Sequence, residues 1–178
     1  MKDRLILDSE QLEVMIGRLC MQLIENHGSF ADTVLLGMQP RGSHAARRIA
    51  ARLEAISGIA VPLGFLDATF FRDDFRRRPL PLQPNVTEVP FPIENQRVVL
   101  IDDVLFTGRS TRAALDAMIG FGRPALVELL VLADRRYSRE LPVQADYVGI
   151  TVDSVQGQQV VVEWKEKGFA EDAVRLFS

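Results

Sequence analysis

The feature that most restricts the fold is a series of short, almost uninterrupted apolar segments that alternate with helical segments. Residues 33–38 and 97–101 are the clearest examples, whereas a strand with one face in solvent would alternate apolar and polar residues. Strands that are apolar throughout are typical of parallel sheets whose two faces are covered by crossover helices. The order of the segments therefore predicts an open, mainly parallel α/β sheet flanked by helices, with right-handed crossovers.

Residue periodicity places the other elements around these two strands. Helices are predicted at 9–25, 43–56 and 109–121, and further strands at 61–66, 125–132, 146–150 and 158–164, the last being the final strand. Residues 68–92 break the rhythm with an excursion rich in arginine and proline. Such a long excursion inside a compact domain is typical of a lid over a site, so a flexible loop is expected there.

Composition narrows the class of protein and of partner. The formal net charge of −3 lowers the expectation of a broad basic surface for nucleic acid, although a local basic patch remains compatible with it. Cys20 is the single cysteine, so an intramolecular disulfide and a cysteine metal cluster are both excluded. With no signal-peptide pattern and no apolar run long enough for a bilayer, a cytoplasmic protein without a membrane partner is expected.

Residues 98–111 contain the most informative pattern in the chain. An apolar strand leads into Asp102 and Asp103, and after a short apolar bridge a Thr-Gly turn opens a helix. Gly108 lets the backbone approach a ligand closely, and the free amides at a helix start favour phosphate. Hydroxyl donors at the same turn come from Thr107, Ser110 and Thr111. The turn therefore predicts a phosphate cradle.

Two acids beside a phosphate cradle do not suit the phosphate itself. They suit ribose hydroxyls, or a magnesium ion that bridges a ribose and a diphosphate. The plainer alternative is a strand end with solvated acids followed by a capped helix.

The whole string resembles the binding motif for phosphoribosyl diphosphate (PRPP) in type I phosphoribosyltransferases. Other stretches are similar to one subfamily, the bifunctional pyrimidine operon regulatory proteins/uracil phosphoribosyltransferases: residues 7–8, 37–42, 67–74, 122–124, 139–142 and 145–147. The likeness covers nearly the entire chain and fades after residue 150. It implies one phosphoribosyltransferase domain over residues 1–178, with a flexible loop at 68–92 and small hood elements at about 150–178.

The resemblance also assigns roles within the motif. It implies that PRPP is bound by Val99, Leu100, Ile101, Asp102, Asp103, Val104, Leu105, Phe106, Thr107, Gly108, Arg109, Ser110 and Thr111. Asp102 and Asp103 would hold the ribose and favour positive charge on the sugar ring in an oxocarbenium-like transition state. They would contact Mg²⁺ indirectly, through PRPP-bound metal.

Two further loops receive roles in the same way. The diphosphate loop would be Gln39, Pro40, Arg41 and Gly42, with Arg41 and backbone amides meeting the leaving group. Arg72 would be catalytic, facing the diphosphate from the flexible loop as charge accumulates there. The basic run at residues 76–78 is interpreted as a solvated loop.

The base is less directly indicated than the sugar. Purine-using relatives carry an aspartate at the position of Phe106, so an apolar ring there favours uracil. Uracil would be recognised near Leu132, Ala133, Asp134 and Arg135 and by the hood. The expected reaction converts uracil and PRPP to UMP and diphosphate.

The subfamily also implies binding of pyrimidine leader mRNA on a basic face of a homodimer or higher homo-oligomer. Candidate RNA residues are Arg18, Arg136 and Arg139, with Arg135 nearby. The stretch around residues 145–149 has fewer basic residues than RNA-binding relatives, which favours retained catalysis with weakened or absent RNA regulation. Three hypotheses thus remain: a uracil phosphoribosyltransferase, an RNA-binding regulator that senses nucleotides in the same pocket, and a phosphoribosyltransferase of another base.

Overall fold

A computed structural model describes residues 3–73 and 84–178 of the chain. Its elements in chain order are β1 (Asp3–Leu7), α1 (Ser9–His27), β2 (Thr33–Met38), α2 (Gly42–Ser57), β3 (Leu63–Leu66), β4 (Arg97–Leu105), α3 (Arg109–Met118), β5 (Leu126–Arg136), β6 (Tyr147–Asp153), β7 (Gln159–Glu163) and β8 (Ala173–Phe177). Short 3-10 turns lie at Thr69–Phe71, Ile119–Phe121 and Lys165–Lys167.

The main sheet has five parallel strands in the order β3-β2-β4-β5-β6. Successive residues of each strand face opposite sides, and both sides are apolar. In β4, Val99 packs with α1 and α2, whereas Val98 and Leu100 pack with α3. This double burial explains why the strands show no polar alternation, and it confirms the predicted fold class.

A second, smaller sheet packs beside the first. It is antiparallel, in the order β1-β8-β7, and Trp164, which follows β7 and is 1% exposed, packs in the core shared with α1 and α2. This hood differs in extent from the expected segment, because β6 belongs to the main sheet and the N-terminal strand β1 joins β8. The prediction that residues 158–164 form the final strand is wrong, because β8 follows β7 and pairs with it.

Strand and helix ends differ from the prediction where charged residues or glycines occur. β4 continues through its two acids to Leu105, and β5 continues to Arg136. Charged residues are rarely buried, so periodicity alone places the strand ends too early. α3 ends at Met118, and a 3-10 turn leads to Gly122, whose φ of 134° interrupts the helix.

The two described ends of the predicted loop are tied to β3. Phe65 and Glu88 exchange backbone hydrogen bonds of 2.7 and 2.8 Å, and the Asp67 amide donates to Thr87 Oγ1. The predicted loop residues Asp74 and 76–78 lie outside the described residues. Within the described ranges, every helix is too short or too polar to cross a bilayer.

Candidate active site

An acid pair lies near the carboxyl end of β4, in the middle of the main sheet. Asp103 is 5% exposed and Asp102 is half-buried. Each carboxylate accepts a hydrogen bond from the next amide, Asp103 N to Asp102 Oδ1 at 2.9 Å and Val104 N to Asp103 Oδ1 at 2.8 Å. The acids are therefore held within the strand, and the alternative of a solvated strand end does not describe them.

Burial is the main influence on both carboxylates. It raises the pKa of Asp102 well above the ordinary value, and the neighbouring charge of Asp103 adds to this effect. Burial likewise raises the pKa of Asp103, while the positive charges of Arg41 and of Lys167 in the hood oppose the rise. The pair is thus short of compensating charge and is suited to a cation or to hydroxyl donors from a ligand.

The loop at residues 39–42 packs directly on this acid pair. A Cβ atom at Gly42 would lie 2.4 Å from the Ile101 carbonyl oxygen and 2.9 Å from Asp102 Cα, so only glycine permits the approach. Ser43 Oγ donates to the Pro40 carbonyl at 2.7 Å, which closes the turn into α2. The Gln39–Pro40 peptide is cis. Contact with the acids brings together two loops that are some sixty residues apart in the sequence.

The predicted phosphate cradle forms the other side of the site. Gly108 has φ of 90°, a conformation that favours glycine, and α3 begins at the next residue. The Arg109 amide donates to Thr107 Oγ1 at 3.3 Å, and Thr111 is buried. The first intrahelical bond is Arg112 N to Gly108 O, so the preceding amides are positioned as helix N-terminal donors.

Arg72 and Asp73 reach the start of α3 from the predicted catalytic loop. Arg72 Nη1 donates to Ser110 Oγ at 2.8 Å, and Asp73 forms an ion pair with Arg109. Arg109 also pairs with Glu140 through Nε at 2.6 Å. The structure therefore places Arg72 at the cradle.

The end of β5 forms a wall beside the cradle. Leu132 and Ala133 are fully buried, and the Arg135 guanidinium stacks 3.9 Å from the centroid of the Phe106 ring. Arg135 is 6% exposed, and its Nε and Nη2 donate to Ser154 Oγ and the Gln158 carbonyl. Burial lowers the pKa of the Arg135 guanidinium. No local pattern in the sequence singles out the two residues that hold this arginine.

The segment at residues 139–143 completes the wall, although only Arg139 within it was named from the sequence, and as a candidate RNA residue. Arg139 donates to the Phe106 carbonyl and pairs with Asp134. The amides of Glu140 and Leu141 both donate to the Thr107 carbonyl, at 3.0 and 3.1 Å. The only sequence signal for this segment is its likeness to the subfamily.

The three candidate RNA arginines lie in different surroundings. Arg18 on α1 donates to the Gly149 carbonyl, and Arg136 at the end of β5 pairs with Asp153 at 2.6 Å. Arg139 lies in the wall described above. Their role in RNA binding stays a prediction.

The donor set also bears on the expected magnesium ion. The described residues contain no cluster of three or more His, Cys, Asp or Glu side chains arranged around a metal. Mg²⁺ commonly takes one or two carboxylates and completes its shell with water and substrate oxygens. Asp102 and Asp103 are hard oxygen donors in an electron-rich, partly dehydrated setting, and they fit an ion carried in by a diphosphate substrate.

Comparisons with known proteins agree with this arrangement. Residues 5–167 match the family described as "Phosphoribosyl transferase domain". The Bifunctional protein PyrR of Desulfosudis oleivorans is 45% identical over 95% of this chain and 93% of its own. That of Geobacter sulfurreducens is 44% identical over 88% of each chain.

Solved structures with low identity share the fold. A hypoxanthine phosphoribosyltransferase from Trypanosoma cruzi has a TM-score of 0.72 at 15% identity, covering 96% of this chain and 95% of its own. One from Staphylococcus aureus has a TM-score of 0.67 at 19% identity, covering 85% and 79%. With its family match spanning most of the sequence and such close relatives, the chain belongs to the phosphoribosyltransferase family and, within it, to the bifunctional PyrR proteins.

Proposed function

We propose that this protein is a uracil phosphoribosyltransferase that converts uracil and PRPP to UMP and diphosphate. The observation that carries the proposal is an acid pair, with Asp103 buried and Asp102 half-buried, between a glycine-dependent loop at 39–42 and a helix N-terminal cradle at 107–111. A ribose held by acids, with a phosphate at one end and a diphosphate at the other, matches that layout.

Each part of the ligand has residues suited to it. The hydroxyls of the ribose face Asp102 and Asp103, which act as hydrogen-bond acceptors. The 5-phosphate lies in the cradle formed by Thr107, Gly108 and the following amides and hydroxyls of α3. The diphosphate lies by Arg41 and the amides of its loop. Arg72, which donates to Ser110 in the cradle in this structure, meets the diphosphate only after it leaves that contact.

In the reaction, the bond between the anomeric carbon and the diphosphate oxygen breaks, and a bond from that carbon to uracil N1 forms. The diphosphate keeps the electron pair, and the N1 proton of uracil is released to solvent. Positive charge builds on the sugar ring, where two carboxylates are close. Bound Mg²⁺ would supply charge neutralisation at the diphosphate. The protein's own contribution is mainly positioning and electrostatic stabilisation.

Uracil is favoured over a purine by the wall of the pocket. Phe106 presents an apolar ring covered by Arg135, and the Asp134 carboxylate is engaged by Arg139. The close relatives carry the PyrR name, whereas the hypoxanthine enzymes are similar in fold at less than half that identity.

A base-panel assay tests this function directly. Diphosphate release from PRPP is measured with uracil, hypoxanthine, guanine and adenine, with and without magnesium. We expect turnover with uracil that requires magnesium. The Asp103→Asn variant serves as the inactive reference. Turnover with a purine and none with uracil would reject the proposed base, and no turnover with any base would reject the enzyme.

The word "bifunctional" in the relatives' names favours a second activity. The resemblance to the subfamily implies that this activity is regulation through RNA. We propose that nucleotide binding in this pocket modulates contact of a cytoplasmic homo-oligomer with pyrimidine leader mRNA. A gel-shift titration against leader RNA at several salt concentrations tests it, with a scrambled hairpin as the control. Equal affinity for both RNAs would contradict the regulatory role.

A further inference from the structure

We infer that Arg139 is a positioning residue that links the base-binding wall to the phosphate cradle, an inference that rests on the proposed function. The guanidinium of Arg139 binds two groups that come from different elements, the Phe106 carbonyl after β4 and the Asp134 carboxylate in β5. Its side chain is 25% exposed, and that of Asp134 is 18% exposed, so the pair is largely shielded from water.

The two groups bound by Arg139 belong to opposite halves of the site. Asp134 lies in the predicted uracil region, next to Arg135, which covers the Phe106 ring. The Phe106 carbonyl belongs to the peptide that leads into Thr107, and its direction affects where the following amides point. Fixing this carbonyl relative to Asp134 therefore fixes the cradle relative to the base wall.

Neighbouring contacts strengthen the same link. The amides of Glu140 and Leu141 both donate to the Thr107 carbonyl. Val143 lies so close to Gly108 that a Cβ there would be 3.1 Å away. The Arg139 side chain thus adds its contacts to those that the backbone of the following residues makes with the cradle.

A guanidinium suits this task because its planar fork can bond two acceptors at once in fixed geometry. A lysine at the position would act as a single point charge and could follow only one of the acceptors closely. An error of about 1 Å between reacting groups can lower a rate roughly 100-fold, so such a link affects turnover without touching the substrate.

The test uses two ligands that differ in how much of the site they span. UMP occupies the base wall, the acid pair and the cradle, whereas ribose 5-phosphate occupies the acid pair and the cradle but not the base wall. We expect Arg139→Gln to weaken UMP binding roughly tenfold or more and to leave ribose 5-phosphate binding nearly unchanged, both measured by calorimetry. We expect kcat to fall roughly 10- to 100-fold while the affinity for PRPP is retained.

Arg175→Gln is the matched control, because Arg175 also bridges two groups, Glu163 and Asp3, but does so in the hood. Arg139→Lys should stay well below the unaltered protein in kcat. The double variant Arg139→Gln/Asp134→Asn should have a kcat only slightly below that of Arg139→Gln alone, since both changes break the ion pair between Arg139 and Asp134. Thermal unfolding of each variant shows whether the fold is retained.

Three results would overturn the inference: equal losses for UMP and ribose 5-phosphate, an equal fall in kcat for Arg175→Gln, or full activity in Arg139→Lys. Failure of the proposed function looks different, because the unaltered protein would then release no diphosphate with uracil. In that case the same two-ligand comparison is made with the monophosphate of the base that does react.

Discussion

At the amino ends of the parallel strands, His27, Thr33, Glu128 and Tyr147 form a polar network inside the protein. At the carboxyl end of β4, Asp103 is buried and Asp102 half-buried beside the two ligand loops. His27 contacts Thr33 Oγ1 at 2.9 Å and Glu128 Oε2 at 2.8 Å, and the Tyr147 hydroxyl donates to Glu128. Most side chains in the first group thus bond to one another, and Glu128 Oε2 has a close contact with His27 without a hydrogen bond of regular geometry.

The acid pair is arranged differently. Its hydrogen bonds come from adjacent backbone amides, its two carboxyl groups belong to consecutive residues, and burial raises the pKa of both. Side chains that bond to one another tie the elements of a fold together, whereas two adjacent acids held by the amides of their own strand are suited to bind a ligand. We therefore expect the amino ends of the strands to contribute mainly to stability and the carboxyl ends mainly to ligand binding.

The largest effect that sharpens this contrast is expected from Asp103→Asn. Removing the charge beside the ribose should lower kcat roughly 100-fold or more, because electrostatic stabilisation of the transition state is lost. The free energy of unfolding should not fall, since a desolvated charge is removed. Steady-state kinetics and urea unfolding measure the two quantities, and near-normal turnover would contradict the role assigned to Asp103.

At the amino ends of the strands, His27→Ala should lower the stability of the protein without changing its catalytic rate. The change removes contacts to Thr33 and Glu128 and the parallel stacking on Phe30, whose ring centroid is 5.6 Å away. We expect the free energy of unfolding to drop by about 2–4 kcal/mol. The kcat of the variant at a temperature where it remains folded should match the unaltered protein, and a large fall in kcat would contradict this division between the two ends of the strands.

Asp102→Asn should stabilise the protein by about 1 kcal/mol at neutral pH. The pKa of Asp102 is raised in the folded state, so its charge costs stability as the pH rises through that pKa. Near pH 4, about the ordinary pKa of Asp in the unfolded chain, the carboxyl is largely protonated in the folded state and about half protonated in the unfolded one, and the gain should shrink to a fraction of its value at neutral pH. Urea unfolding at pH 7 and at pH 4 measures this, and an equal gain at both values would show that charge is not the cause.

The smallest effect concerns the pH dependence of stability through His27. Burial lowers the pKa of His27, although Glu128 opposes the shift. The unfolded chain therefore takes up this proton first, and stability should decline as the pH falls below about 6.5. The free energy of unfolding is measured for the unaltered protein and for His27→Gln from about pH 8 to about pH 5, the range in which histidine titrates. It should depend less on pH in the variant. Parallel curves would rule out His27 as the source.

Much of the architecture follows from local patterns. The apolar runs at 33–38 and 97–101 predict buried parallel strands, and the motif at 98–111 predicts the family, which the comparisons confirm. The hood was harder to predict from the sequence, since β1 and β8 are short strands at opposite ends of the chain. β8 pairs with β1 on one side and with β7 on the other. The roles of the individual site residues stay predictions.

By itself, the sequence determined the alternation of elements, the conformations demanded at Gly108 and the types of donor at each loop, because these depend on residues close together in the chain. Only the tertiary structure decided that Gly42 rests on Asp102, that Arg135 covers Phe106, and that Arg139 joins β5 to the cradle. Such contacts depend on strand order and register, which bring distant residues within bonding distance and cannot be read from neighbours in sequence.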